Sequence, residues 1–417
     1  LTVDTARTTT GIVTTLTADT AKVGAAVTIS ESGMEVTGVT TVTSSINIGS
    51  ATTISSSSLE VNGVQYPTAG PLSNRNLIIN GAMQVSERST STAVTTTGTF
   101  VLDRFTTGHG SSFNINSTIS QSSTAPAGFA NSYKVDVTST STPTGSQNGL
   151  ITHAVEAQNL QHLQYGTSTA QTCTLSFWVR SNKTGTYCLQ ILHHDADKYQ
   201  LHEYTISSAD TWEQKTITIV GNTADAITND NGIGLQFRWH LAAGSSDHVS
   251  ASSTWTGSSQ GYFATSNQVN LFDSTSNEWY LTGVQLEVGE KATPFEHRSI
   301  GDEFLRCQRY YYKHPKERYR PAIVDGNGAY AGIFVSHPVE MRATPSTTCL
   351  SFSTFYYNAS GSGNTNMTPN GSISNVVYSG DRLTGLANVT GNSNLGGVSK
   401  DQITGQWDCQ FDFSAEL

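Results

Sequence analysis

The feature that most constrains this chain is a repeat near its N-terminus. The run Thr28–Val39 (TISESGMEVTGV) recurs 25 residues later as Thr53–Val64 (TISSSSLEVNGV), identical at eight of twelve positions, with Met34/Leu59 a near-match. Val23-Gly24 likewise recurs as Ile48-Gly49. One copy offers only Ile29, Met34, Val36 and Val39 as aliphatic side chains, too few to bury a core alone. Ser and Thr fill 26 of the first 70 positions, and no aromatic residue precedes Tyr66. Either identical chains wind together here around one narrow shared core, or the segment is a mobile linker; the regular placement of the aliphatics favours the first.

The rest of the 417-residue chain is also unusual in charge. Only 13% of residues are charged, about half the usual share, so uncharged Thr, Ser and Asn must supply the surface. That composition suits pleated strands and turns better than helices. A net charge of -10 gives no basic face for nucleic acid, and no run of eighteen apolar residues predicts a membrane span. The chain begins at Leu1 rather than Met and is expected to be a fragment, with no signal peptide in view. Its five cysteines (Cys173, Cys188, Cys307, Cys349, Cys409) are odd in number and lack CxxC spacing. They read as free thiols of a protein assembled in a reducing cytoplasm. A tight hairpin through Asn182–Gly185 would set Cys188 opposite Val179, too far from Cys173 to bridge.

Four segments follow from composition and pattern: a Thr/Ser-rich stalk over 1–70, an antiparallel β-sandwich over 71–297, a collar helix over 298–320 and a small β domain over 321–417. Within the sandwich segment, Leu175, Phe177 and Val179 alternate to one face, as do Ile217 with Ile219 and Leu235 with Phe237. The helix opens with Ser299 as cap and Asp302 three residues on. Its seam of Ile300, Phe304, Cys307 and Tyr311 falls at 4-3-4 spacing, and Pro315 is its stop. The seam suits either a short coil on an oligomer axis or packing against its own sandwich, and it is too short to decide. Seven Lys/Arg against three Asp/Glu between 298 and 320 make the only basic concentration, read as a solvated helix face.

No GxSxG, HExxH, phosphate-loop or dinucleotide fingerprint occurs in the sequence. The best metal candidate is the run from His193 to His202. A hairpin near Asp197 would bring His194 and His202 diagonal on one face, and Asp195 and Asp197 offer oxygens for calcium but would need further oxygen ligands from elsewhere. A polar hairpin reads the same way, so no metal and no cofactor is expected. In the last segment, polar loops over 358–375 and 379–397 lie beside tyrosines. Tyr330, Tyr356, Tyr357, Asn358, Tyr378, Asp381 and Arg382 combine rigid rings with directed polar groups, the chemistry of a glycan surface.

Several long motifs occur in one order: NLIINGAMQVSER (76–88), DRF (103–105), WYLTGVQLEVGEKATPFEHRSIGDEFLRCQRYYYK (279–313), VEMRATP (339–345) and FSAEL (413–417). They resemble the sandwich opening, closing strand, collar helix and terminal motifs of bacteriophage tail fibre proteins, from about Asn74 onward. The resemblance implies a homotrimer with a virion-proximal shaft, a jelly roll similar to carbohydrate-binding modules and a distal receptor-binding domain. It also implies location on the virion after assembly in the host cytoplasm, with a tail or baseplate protein as partner upstream of Leu1. It transfers no individual binding residue. The expected function is non-catalytic, multivalent attachment to a bacterial surface polysaccharide or lipopolysaccharide, with no nucleic acid and no membrane insertion. The rivals are a tailspike-like glycan depolymerase, for which Asp195, Asp197, Asp381 and Asp408 are the least implausible carriers, and a purely structural connector.

Overall fold

The computed structural model describes residues 73–95, 97–110, 113–258 and 261–314, together with 45–48, 52–55, 59–61, 64–66, 323–324, 330–358, 364–379, 382–390 and 405–417. At the N-terminal end, β1 (Ser45–Ile48), β2 (Thr52–Ser55), β3 (Leu59–Val61) and β4 (Val64–Tyr66) form an antiparallel meander spanning the second copy of the repeat. The first copy lies outside the described residues.

Twelve strands then build two six-stranded antiparallel sheets. In chain order they are β5 (Ser91–Val94), β6 (Phe105–Gly110), β7 (Ser117–Ser122), β8 (Ser132–Val137), β9 (Asn148–Glu156) and β10 (Cys173–Ser181). The remaining six are β11 (Gly185–His193), β12 (Lys198–Ile206), β13 (Glu213–Ile219), β14 (Ile233–Ala243), β15 (Ser252–Thr256) and β16 (Glu278–Val288). The first sheet has the order β13-β10-β16-β8-β7-β5, and the second β15-β12-β11-β14-β9-β6. The chain crosses repeatedly from one sheet to the other, the wiring of a jelly roll.

The core lies between the sheets. Leu175, Phe177 and Val179 of β10 face inward as their alternation predicts, joined by Ile217 and Ile219 of β13. Leu189 and Ile191 of β11 and Leu235, Phe237 and Trp239 of β14 meet them from the second sheet. Full burial of each such side chain contributes about 1.5–3 kcal/mol. Because the inward positions are fixed, the intervening residues are set on the outer faces.

Three expectations need correction. β10 and β11 are not a hairpin: β10 pairs β13 and β16, whereas β11 pairs β12 and β14. Both strands have an apolar face for the core, so the chain arches between the sheets, and Cys188 does not face Val179. Cys173, Cys188 and Cys307 are buried free thiols. Helix α1 covers only Ile300–Gln308, with the Ser299 hydroxyl accepting from the Asp302 amide as the cap. Tyr311 is not on it; β17 (Tyr311–Lys313) pairs instead with the last strand. Finally, much of the supposed polar loop at 358–375 and 379–397 is strand: β21 (Asn364–Ser379) and β22 (Arg382–Thr390). Thr- and Ser-rich sequence is compatible with a pleated ladder as well as with a loop.

These belong to a seven-stranded sheet of order β17-β23-β20-β21-β22-β19-β18. It adds β18 (Ile323–Val324), β19 (Tyr330–Ser336), β20 (Ser346–Asn358) and β23 (Gly405–Ser414). The sheet is fastened to the sandwich by a buried polar junction, and the junction is where the ordered motifs of the sequence meet. Asn80 holds a turn by donating to the carbonyls of Val85 and Asp103, both at 2.8 Å, while accepting from the Val85 amide. Gly81 next to it has no room for a side chain, since a Cβ would lie 2.1 Å from the Val284 carbonyl oxygen. Asp103 accepts from the Glu87 amide and pairs with Arg88 at 3.0 Å. Arg88 and Arg104 both reach Glu416, and Arg104 stacks 3.5 Å from the Tyr310 ring centre. Glu156, fully buried, accepts from Arg309 (2.6 and 3.0 Å) and from the Tyr310 hydroxyl (2.8 Å). Arg342 donates to the carbonyls of Ala415, Glu416 and Asn231.

This also corrects the reading of the basic run. Arg298, which pairs with Glu296 and Glu303, and Arg309 are structural rather than a solvated face; positions 315–320 lie outside the described residues. The helix seam divides accordingly. Cys307 and Tyr311 are buried, whereas Ile300 is 59% and Phe304 39% exposed.

Candidate functional site

The residues singled out in the last segment are placed by backbone register. Tyr356, Tyr357 and Asn358 end β20 and pair with Asn366, Thr365 and Asn364 at the start of β21. Tyr378 pairs with Leu383 at the opposite end of β21, beside the first residue of β22, Arg382. Tyr330 opens β19 and pairs with Asn388. The register thus spreads these positions along the sheet, and Asp381 lies outside the described residues.

The histidine candidates separate too. The β11–β12 hairpin forms, with Asp197 in the left-handed region at φ 51°, but its register sets His202 opposite Leu189. His194 contacts Gln236, while His202 contacts Gln200 on the other face. No group of three metal-ligating side chains occurs among the described residues. Asp195 accepts from the Thr228 amide and Asp197 from the Ser258 hydroxyl. Asp408 pairs in register with Ser353 of β20.

A more compact arrangement lies on the outer face of the first sheet. With Leu175, Phe177 and Val179 turned inward, Ser176, Trp178 and Arg180 of β10 must face out. The neighbours of Trp178 are Gln214 of edge strand β13 and Thr282 of β16. The edge is open, with Gln214, Thr216 and Thr218 all exposed. A bulge between Ser176 and Trp178 shifts the β10–β16 ladder, and Gly283 stands there at φ +61°. A Cβ on Gly283 would lie 2.8 Å from Phe129 and 2.9 Å from Trp178, so the glycine gives both rings their seat. Phe129 continues the apolar floor edge-on to Phe295 (5.0 Å) and beside His297 (5.2 Å).

One residue pair along, Arg180 lies opposite Tyr280, its guanidinium 5.1 Å from that ring; Lys134 approaches the same ring at 5.7 Å and Trp212 meets it edge-on at 6.1 Å. The charges here are mutually satisfied. Lys134 bridges Glu278 and Asp136, and Arg180 pairs with Asp210. Burial pushes the Glu278 carboxyl up, but hydrogen bonds from Lys134 and the Tyr280 hydroxyl outweigh it and hold the group below its ordinary range. The face therefore offers half-buried rings of Trp178, Phe129 and Trp212 among neutral hydroxyls, amides and paired ions. Such a surface stacks on the apolar face of a pyranose and bonds to its rim.

Trp178 was legible in the sequence as the aromatic on the polar parity of an otherwise apolar strand. Phe129 and Trp212, which arrive from loops, had no such signal.

No family model and no curated relative matches the chain. Among solved structures it is similar to a putative sugar binding protein from Bacteroides thetaiotaomicron (TM-score 0.29, 10% identity, covering 51% of this chain and 100% of that one). It is also similar to the carbohydrate-binding module CBM4 (0.27, 12%, 51% and 99%). A third similarity is to the enzymatically active domain of tailspike protein 4 of bacteriophage CBA120 (0.25, 14%, 54% and 24%). TM-scores this low carry no functional weight, and the sandwich architecture rests on the strand register itself.

Proposed function

We propose that the chain is the host-attachment part of a bacteriophage tail fibre, holding a bacterial surface glycan on the outer face of its sandwich without cleaving it. The observation that carries this reading is the seating of Trp178 and Phe129 on Gly283 at an open sheet edge, a rigid apolar platform with polar groups around it. Rigid rings lose little conformational freedom on binding, so even a shallow platform gives useful contact energy. The ordered motifs add the tail-fibre context. Each carboxylate near the platform is held by a cation, which suits retention of a sugar rather than acid–base chemistry on it.

Three copies would multiply weak contacts into avidity. What supports trimerisation is the N-terminal repeat, which has too few aliphatics to fold alone, and the exposed Ile300, Phe304 and Leu305 on α1. No described helix is long and apolar enough to cross a membrane.

The test is binding of the full chain to purified surface polysaccharide of a susceptible host. Trp178→Ala should weaken binding at least about tenfold with little change in melting temperature, because Trp178 is outside the core. Undiminished binding by that variant sinks the platform reading, and release of new reducing ends sinks the non-catalytic one.

A further inference from the structure

The outer face of the second sheet has a different character. Thr106, Thr152, Arg238 and Gln190 form one outward row across β6, β9, β14 and β11, as their register requires. The segment after β15 lies over part of this row. The Gly261 carbonyl accepts from Gln190 (3.0 Å) and from Nη1 of Arg238 (3.1 Å), and the guanidinium stands 4.5 Å from the Tyr262 ring centre. Arg238 also donates to the amide oxygens of Gln236 (3.2 Å) and Gln190 (3.4 Å).

Arg238 is only 8% exposed, yet among the described residues every hydrogen-bond acceptor it has is a neutral oxygen, and its Nη2 has none. Among the described residues the other arginine buried to this degree, Arg104, has Glu416 as its counter-charge. Two residues along the same outward face, His240 is fully buried and neither ring nitrogen has a partner among the described residues. Burial pushes the Arg238 guanidinium down to about 10. Burial, and then the charge of Arg238, push His240 down to about 3. A cation withdrawn from water without a counter-ion is costly to the fold, and it attracts an anion strongly because little solvent screens it.

We infer that Arg238 is the anchor of a second binding site, which takes a carboxylate-bearing sugar, with Gln236, Thr152 and Tyr262 meeting its hydroxyls. A single positive charge among neutral amides matches a monoanion. A phosphate monoester, with nearly twice the charge, calls for more than one cation. The inference rests on the glycan-binding reading above, but it uses the opposite face of the sandwich. It therefore succeeds or fails separately from the Trp178 platform.

The experiment uses the full chain on an array of bacterial polysaccharides. Each uronate- or ulosonate-containing polymer is printed in native and carboxyl-reduced forms, beside neutral and phosphodiester-linked polymers. Carboxyl reduction should lower binding at least about tenfold. Arg238→Gln should lose the same factor on the native polymer and nothing further on the reduced one, whereas Trp178→Ala should weaken both forms. Thermal unfolding checks that Arg238→Gln is folded; should it fail to fold, Tyr262→Ala and the carboxyl-reduction arm, which needs no variant, still decide the matter. Equal binding to native and reduced polymers, or binding confined to neutral or phosphodiester polymers, overturns the acidic-sugar site and leaves the glycan reading standing. No binding to any polymer defeats the glycan reading and this inference together.

Discussion

Replacing Gly283 by Ala joins the fold and the proposed platform in one perturbation. The backbone there is at φ +61°, and an L-residue in that region costs about 1–2 kcal/mol. The added methyl would also lie 2.8 Å from Phe129 Cζ and 2.9 Å from Trp178 Cδ1, inside contact distance, so at least one ring must move. Overpacking of this kind costs about 1–3 kcal/mol. Together the loss is roughly 2–5 kcal/mol, and at about 2–4 °C per kcal/mol for a domain of this size the melting temperature should fall by ~4–20 °C. Calorimetry measures the first effect and tryptophan fluorescence the displacement of the Trp178 ring. A cycle with Phe129→Ala tests the mechanism. Removing the nearer ring relieves part of the clash, so the two changes should couple by about 1 kcal/mol or more. A loss below about 0.5 kcal/mol for Gly283→Ala, or strict additivity in the cycle, refutes the idea that this glycine seats the two rings.

Other outcomes follow from the junction and the core. Glu156→Ala leaves the Tyr310 hydroxyl and the half-buried Arg309 without their carboxylate, and should cost about 3 kcal/mol in urea unfolding while making 309–342 more susceptible to limited proteolysis. Burial first, and then the charge of Asp103, raise Glu87 from 4.5 to about 7. The folded state thus holds this proton more tightly than the unfolded one, so the group's contribution to stability falls as pH rises from about 4.5 to 7. The melting temperature of the native chain relative to Glu87→Gln should therefore decline across that window; a rise would contradict the assignment. Burial lowers His153, His193, His194, His202 and His240, which gives the opposite slope below pH 6.5 in both proteins and cancels in the difference. Cys173, Cys188 and Cys307 are buried, and burial raises their thiols, so mass-mapped alkylation should label them only after unfolding.

The outward position of Trp178 could be read from the chain because period-two alternation is local: once Leu175, Phe177 and Val179 are inside, their neighbours are outside. The Ser299 cap was legible for the same reason, since its hydrogen bond spans three residues. The end of α1 was not. Its apolar spacing continued to Tyr311, but Tyr310 is drawn to Glu156 and Tyr311 to the last strand, partners 154 and 103 residues away. Nor was the fate of the basic run legible, because a solvated arginine and one paired with a distant carboxylate look alike in sequence. Arg238 is the sharpest case. It sits on the polar parity of β14, yet its burial is created by Gly261 and Tyr262, which return over the face from beyond the edge strand.

By itself, the sequence determined a β-rich chain, its inward and outward strand positions, and an N-terminal repeat sparse in aliphatic side chains. These depend on propensity and periodicity, which act over a few residues. Only the tertiary structure decided which strands share a sheet, where the ordered motifs converge, and which outward side chains end as an open aromatic platform or a buried cation. Those depend on contacts between segments far apart in the chain, where the same residue has different neighbours and hence different solvation.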